Sequence, residues 1–173
     1  WNHKGLKKLA ELSKCGDKLT CSDIAMRIVP KINAAGRVGN PYAALELLLM
    51  RDKADKATAE KLIELNEQRK EYLDDIVAEA DGMIDERTVR AERLVYLVGN
   101  KWQHGLLGIA AARYKERFYV PSVVMTDDGD NYVGSARGID GVDLFDAFRR
   151  CKDLLVKFGG HKASVGFTVA KEN

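Results

Sequence analysis

A chain of 173 residues with 46% hydrophobic composition can bury one core, or a small core plus a second lobe tied on by a helix. Its formal net charge of +2 neither demands nor excludes a polyanionic partner, because binding depends on where the charge sits. No apolar stretch reaches the roughly 20 residues that cross a bilayer, the start Trp1-Asn2-His3-Lys4-Gly5 is no signal peptide, and Cys15, Cys21 and Cys151 have neither disulfide nor zinc-ligand spacing. A cytoplasmic protein with reduced thiols and no membrane partner is expected.

The charge is unevenly spread. Residues 1–40 carry 8 Lys/Arg against 3 Asp/Glu, residues 41–92 carry 8 against 14, and residues 93–173 carry 12 against 9, so two basic ends flank an acidic middle. A chain that starts with Trp1 rather than Met is also expected to be a piece of something longer.

In chain order, Gly5 to Leu12 has apolar residues at helical spacing, and Ser22-Asp23 before Ile24-Ala25-Met26 reads as the cap of a second short helix that Pro30 breaks. Asn40-Pro41 opens a helix running from Tyr42 to about Arg51. From Ala54 to Asp85 there is no Pro and a single Gly, while Leu62, Leu65, Tyr72, Leu73, Ile76, Val77, Ala80 and Ile84 recur at three- and four-residue steps. That pattern predicts one long amphipathic helix, with its charged run a solvated face and its role that of a connector.

After Arg93 the period changes. Leu94 to Val98 and Ser122 to Thr126 read as strands, and His104 to Phe118 between them as a helix, a β-α-β order that suggests parallel pairing. Tyr132 to Arg137 should return as a hairpin strand across the Asp127-Asp128-Gly129-Asp130 turn. Asp143 caps a helix predicted to reach about Leu155, and Val165 to Val169 makes the last strand.

Four stretches could carry chemistry. In Asn33-Ala34-Ala35-Gly36-Arg37-Val38-Gly39-Asn40, small residues let a backbone come close to a ligand and Arg37 can present its fork to a phosphate; the plainer reading is a tight inter-helix loop with an exposed Arg. In Gly134-Ser135-Ala136-Arg137-Gly138, strand parity puts Ser135 and Arg137 on one face, a hydroxyl and a guanidinium suited to clamp a phosphate, or else a half-polar edge strand. In Phe158-Gly159-Gly160-His161-Lys162-Ala163-Ser164-Val165-Gly166, the two glycines before His161 permit a turn that offers N–H groups to an anion with an imidazole beside it; the plainer reading is a structural histidine. In Trp102 to Ala111, Gly108 and the alanines favour close packing of a helix on the sheet over anion binding. Nothing in the chain resembles the clustered Asp and His ligands of a two-metal phosphodiesterase: there are three histidines, His3, His104 and His161, and no Asp-His-His triplet.

Taken in order, the four stretches resemble the RecJ branch of the DHH/DHHA1 phosphoesterase superfamily over nearly the whole chain. The resemblance implies an α/β architecture in three parts. Residues 1–53 would be the C-terminal remnant of a DHH domain, residues 54–90 a long connecting helix, and residues 91–173 a small mixed-sheet DHHA1 domain. It further implies that Arg37, Ser135 and Arg137 grip the 5′-phosphate of single-stranded DNA, and that Asn33, Gly36, Gly159, Gly160 and His161 position the strand. By the same resemblance, Mn²⁺ or Mg²⁺ would be bound by a DHH domain outside this chain, leaving the chain without catalytic or metal-ligating residues and inactive alone. The complete protein would be a 5′ to 3′ exonuclease of DNA repair and recombination, meeting other repair proteins. Lys31, where Arg is common, and Gly138, where Ser is usual, depart from the family pattern. Two other readings stay open: a phosphodiesterase for oligoribonucleotides or cyclic dinucleotides, and a non-catalytic nucleic-acid-binding DHHA1 module.

Overall fold

Helix α1 (Lys4–Leu12) buries Gly5, Leu9 and Ala10 on one side. Gly5 is there for contact: a Cβ on it would sit 2.1 Å from the Leu47 carbonyl oxygen, and its N–H donates to the Met50 carbonyl at 3.1 Å. These are features of a computed structural model that describes residues 3–16, 18–50 and 55–173.

The second helix starts earlier than Ser22-Asp23. Thr20 caps α2 (Cys21–Asp23), its hydroxyl accepting from the Asp23 N–H while the Asp23 carboxylate accepts from the Thr20 N–H, a reciprocal box. A π-helical turn, Ile24–Ile28, then leads into α3 (Val29–Val38). Pro30 therefore does not break the helix. It lies in the first turn of α3, where proline is tolerated, directly after the π-helical turn. The Asn33 to Arg37 stretch is consequently helix rather than loop.

Asn40 accepts from the Tyr42 N–H at 3.0 Å, and α4 (Tyr42–Leu49) follows Pro41 as expected; the expected end near Arg51 lies outside the described residues. Asp55 accepts from the N–H groups of Ala57 and Thr58 at the start of α5 (Lys56–Met83), a 28-residue helix. The expected start at Ala54 also lies outside the described residues. Its charges are matched at helical spacing, Lys56 with Glu60 at 2.9 Å and Lys70 with Glu67 at 2.9 Å, which supports an exposed helix without anchoring it to anything else. The chain forms two compact units, Trp1–Glu71 and Tyr72–Asn173, so α5 begins in the first and ends in the second. In the first unit Ala59, Leu62 and Leu65 of α5 join Leu9, Ile28, Ala34, Ala35 and Leu47 in one buried cluster.

In the second unit, Asp85 stops the long helix and caps a separate one, α6 (Glu86–Glu92), by accepting from the Arg87 N–H at 3.0 Å. Strand β1 (Val95–Asn100), helix α7 (His104–Phe118) and strand β2 (Ser122–Asp128) form the expected β-α-β unit with parallel strands. Strand β3 (Asn131–Arg137) returns antiparallel through a turn in which Gly129 takes φ +72°. Helix α8 (Leu144–Arg150), capped by Asp143, ends before the predicted Leu155; a 3-10 turn, Lys152–Leu154, follows, and Leu155 opens an unforeseen strand, β4 (Leu155–His161). Strand β5 (Ser164–Ala170) completes a mixed sheet of order β1-β2-β3-β5-β4. The fold is thus α/β, helices first and then a five-stranded mixed sheet.

The two faces of this sheet differ. Ala136, Val165 and Phe167 point to the side where Leu144 and Phe148 of α8 meet them, with the Phe148 and Phe167 ring centroids 4.9 Å apart. Helix α7 covers the other face over β2 and β3, burying Leu106, Leu107, Ala110 and Ala111. Tyr114 of α7 donates to the Val77 carbonyl and to Asp81, and the Trp102 indole donates to Glu79 at 2.7 Å, which fastens the last turns of α5 to the same unit.

Candidate nucleic-acid interface

Strand register alone assembles most of the site in the second unit. Arg137 stands opposite Ser164 and Ser164 opposite His161, while Ser135 stands opposite Gly166 and Gly166 opposite Gly159. Directly opposite residues project to one face, so Arg137, Ser164 and His161 form one row and Ser135, Gly166 and Gly159 the next, at roughly 4.8 Å per strand. Helix α7 covers the β3 end of these rows; at the β4 and β5 end, Gly159, His161 and Gly166 are exposed. A Cβ on Gly159 or Gly166 would meet nothing within 4 Å. The result is an open shelf with a glycine floor, bordered by a guanidinium, two hydroxyls and an imidazole.

Arg137 is held rather than loose. Its Nη1 donates to the Ser135 hydroxyl at 2.8 Å and to the Ala136 carbonyl at 2.8 Å, folding the side chain back along its strand. At the other end of the same row, the Ala163 N–H donates to His161 Nδ1 at 3.3 Å, and His161 Nε2 lies 3.2 Å from the Ser164 hydroxyl. With Nδ1 accepting, the proton of the neutral ring sits on Nε2 and faces Ser164. The Gly-Gly-His stretch is therefore the end of an edge strand, not a free turn. Gly160 takes φ +152°, and a Cβ there would lie 2.2 Å from the Ser164 carbonyl oxygen, so glycine is needed for the close β4–β5 approach beside His161.

In the first unit, Asn33, Gly36 and Arg37 fall at positions i, i+3 and i+4 of α3, all exposed, while Ala34 and Ala35 are fully buried behind them. Helical periodicity thus gathers the three residues onto one face. Gly36 is not required by crowding, since the nearest atom to a Cβ there is in Pro41 at 3.9 Å. Lys31 donates to the Arg27 carbonyl at 2.6 Å, and burial, followed by the nearby Lys70, pushes its amine below the usual lysine range.

Other groups serve structure. Trp102 lies over Gly99, where a Cβ would meet its ring at 2.0 Å, and the Trp102 N–H donates to Thr126 at 2.9 Å, so that stretch is packing, as its sequence suggests. Asp127, near the end of β2, is paired with Lys171 just beyond β5, and the Lys171 ammonium keeps its carboxyl below the usual range. Among the described residues no three His, Cys, Asp or Glu side chains gather as a metal site, and no helix is long and apolar enough to cross a membrane. A cleft of about 710 Å³ between α6 and the end of α7 contains none of the expected site residues. Two of its arginines, Arg90 and Arg117, are already matched by Glu86 and Asp81. Ser164 and Gly166 lie within the Phe158 to Gly166 stretch but are not singled out by the sequence; their place on the strand opposite Gly159 and His161 is what brings them to the shelf.

A family profile described as the DHHA1 domain matches residues 91–173. The single-stranded-DNA-specific exonuclease RecJ of Bacillus subtilis is 32% identical over 99% of this chain, which spans 22% of that protein. The same-named protein of Salmonella typhimurium is 33% identical over 95% of the chain, which spans 30% of it. Among solved structures, RecJ from Thermus thermophilus in complex with Mg²⁺ superposes with a TM-score of 0.84 at 29% identity, over 97% of this chain and 26% of that one. An exonuclease RecJ bound to manganese gives a TM-score of 0.79 at 29% identity, over 99% of this chain and 42% of that one. The chain spans less than a third of the curated relatives it matches. By its profile match over residues 91–173, its sequence and its fold, the chain is similar to the C-terminal region of the RecJ exonucleases and carries a match to the DHHA1 domain family.

Proposed function

We propose that this chain is the substrate-gripping part of a RecJ-like 5′ to 3′ exonuclease acting on single-stranded DNA in repair and recombination. The observation that carries the reading is the shelf: a strand-fixed Arg137–Ser135 pair opening onto a floor of Gly166 and Gly159, bordered by His161, in a chain whose relatives are named for single-stranded DNA. A guanidinium and a hydroxyl at one edge suit a terminal phosphate, and side-chain-free floor positions let a sugar-phosphate backbone lie close to the sheet. Arg37, with Asn33 and Gly36, presents a second phosphate-binding face, on α3 of the first unit. Gly160 and His161 would position the scissile end, with His161 Nε2–H as the donor.

In this reading residues 1–53 close a DHH domain, residues 54–90 connect, and residues 91–173 are the DHHA1 domain. Mn²⁺ or Mg²⁺, when bound by the complete enzyme, would supply the activated water and charge neutralisation for hydrolysis. Residues of this chain hold and orient the strand and move no proton themselves. The chain alone is accordingly inactive and binds single-stranded DNA weakly, with affinity that falls steeply as salt rises. The test compares 5′-phosphorylated with 5′-hydroxyl oligodeoxynucleotides on the chain and on its Arg137→Ala variant. The expected result is a preference for the phosphorylated strand that the variant loses. Equal affinities in the unaltered chain would overturn the reading, as would EDTA-sensitive nuclease activity that copurifies with it.

A further inference from the structure

Gly108 lies inside helix α7, where glycine is a poorer helix former than alanine and where no positive φ calls for it. Space accounts for it. A Cβ on Gly108 would fall 2.3 Å from Arg137 Nη2, 3.2 Å from Arg137 Cζ and 3.1 Å from the Ser135 hydroxyl. The position therefore touches both halves of the proposed phosphate clamp and nothing else so closely. Without a side chain there, the guanidinium can fold under α7, keep its bonds to Ser135 and Ala136, and stand at the border of the glycine shelf.

We infer that Gly108 is a positioning residue for 5′-phosphate recognition: the slot it leaves in α7 fixes the Arg137 guanidinium against Ser135. This rests on the reading of Arg137 and Ser135 as the phosphate clamp. The slot itself is a property of the fold and can be examined separately. Any side chain at position 108 must push aside the far end of a flexible arginine, which moves at little steric cost. The helix therefore survives such a change while the clamp does not.

Two measurements on the chain separate the slot from the reading. The first is thermal melting of Gly108→Ala, Arg137→Ala and the double variant. Alanine improves the helix, so in the Arg137→Ala background, where the slot is vacant, Gly108→Ala should raise the melting temperature. In the chain with Arg137 intact the gain should be smaller or reversed. Equal shifts in both backgrounds would overturn the slot. The second is binding of 5′-phosphorylated and 5′-hydroxyl oligodeoxynucleotides. Gly108→Ala should lose the phosphate preference, on the order of 10-fold, to the level of Arg137→Ala, with no further loss in the double variant. A preference retained in Gly108→Ala, or additive losses, would overturn the positioning role. If the unaltered chain shows no preference, the phosphate reading and the role built on it fail together, while the melting cycle still decides whether the slot exists.

Discussion

Arg37 and Arg137 carry the same guanidinium on two backbones that position it by opposite means. On α3 the helix repeat brings Asn33, Gly36 and Arg37 to one exposed face, and a Cβ on Gly36 would meet nothing closer than 3.9 Å. On β3 the strand repeat aims Arg137 at α7, where its position depends on Ser135, on its own backbone and on the absence of a side chain at Gly108. A helix face can present an arginine with local sequence alone. A sheet face covered by a helix must make room for one, and the room comes from elsewhere in the chain.

The contrast is broken most severely at the glycines. Gly160→Ala places a Cβ against the Ser164 carbonyl at a φ that L-residues avoid, and should cost about 3 kcal/mol. Gly36→Ala, on an exposed helix with space around it, should stabilise by up to about 1 kcal/mol. Denaturant titration of the two variants checks both signs; a neutral Gly160→Ala would mean that the β4–β5 approach is looser than described.

A next test is conservative exchange of the arginines. If Arg137 works as a fork fixed against Ser135, Arg137→Lys should lose about as much affinity for a 5′-phosphorylated oligonucleotide as Arg137→Ala, roughly 1.5–3 kcal/mol. Arg37→Lys, on an open helical face, should keep most of its affinity because a point charge there serves nearly as well. Identical behaviour of the two lysine variants would erase the distinction.

The smallest effect sharpens the packing of α7 against the end of α5. Tyr114 is buried and donates to Asp81, and burial first, then that carboxylate, raises its phenol far above the ordinary tyrosine range. A group whose folded value is raised contributes stability that is complete below its unfolded value of about 10 and is lost as pH climbs beyond it, since the unfolded chain then ionises and the folded one resists. Tyr114→Phe should therefore be less stable by about 1 kcal/mol at neutral pH, and the gap should narrow above pH ~10. Urea melts at neutral pH and half a unit above the phenol's unfolded value measure it.

Local pattern determined much of this protein. The three- and four-step apolar spacing of α1 and α5, the Asn40-Pro41 opening of α4, the β-α-β run of β1, α7 and β2, and the parity that puts Ser135 and Arg137 on one face are all consequences of residues close in sequence, because local propensities and the 3.6- and 2-residue repeats fix element starts and which side chains share a side. Pro30 was misleading because a proline at a helix start and one at a helix end look alike until the preceding turn is known. Strand β4 was hidden for a different reason: it is an exposed edge with two glycines and little apolar alternation, and it exists because β5 lies beside it to complete its hydrogen bonds. The glycine shelf and the slot at Gly108 were decided by tertiary structure alone. Each is defined by atoms on separate elements, and no spacing along the chain records that α7 and β3 leave room for one guanidinium between them.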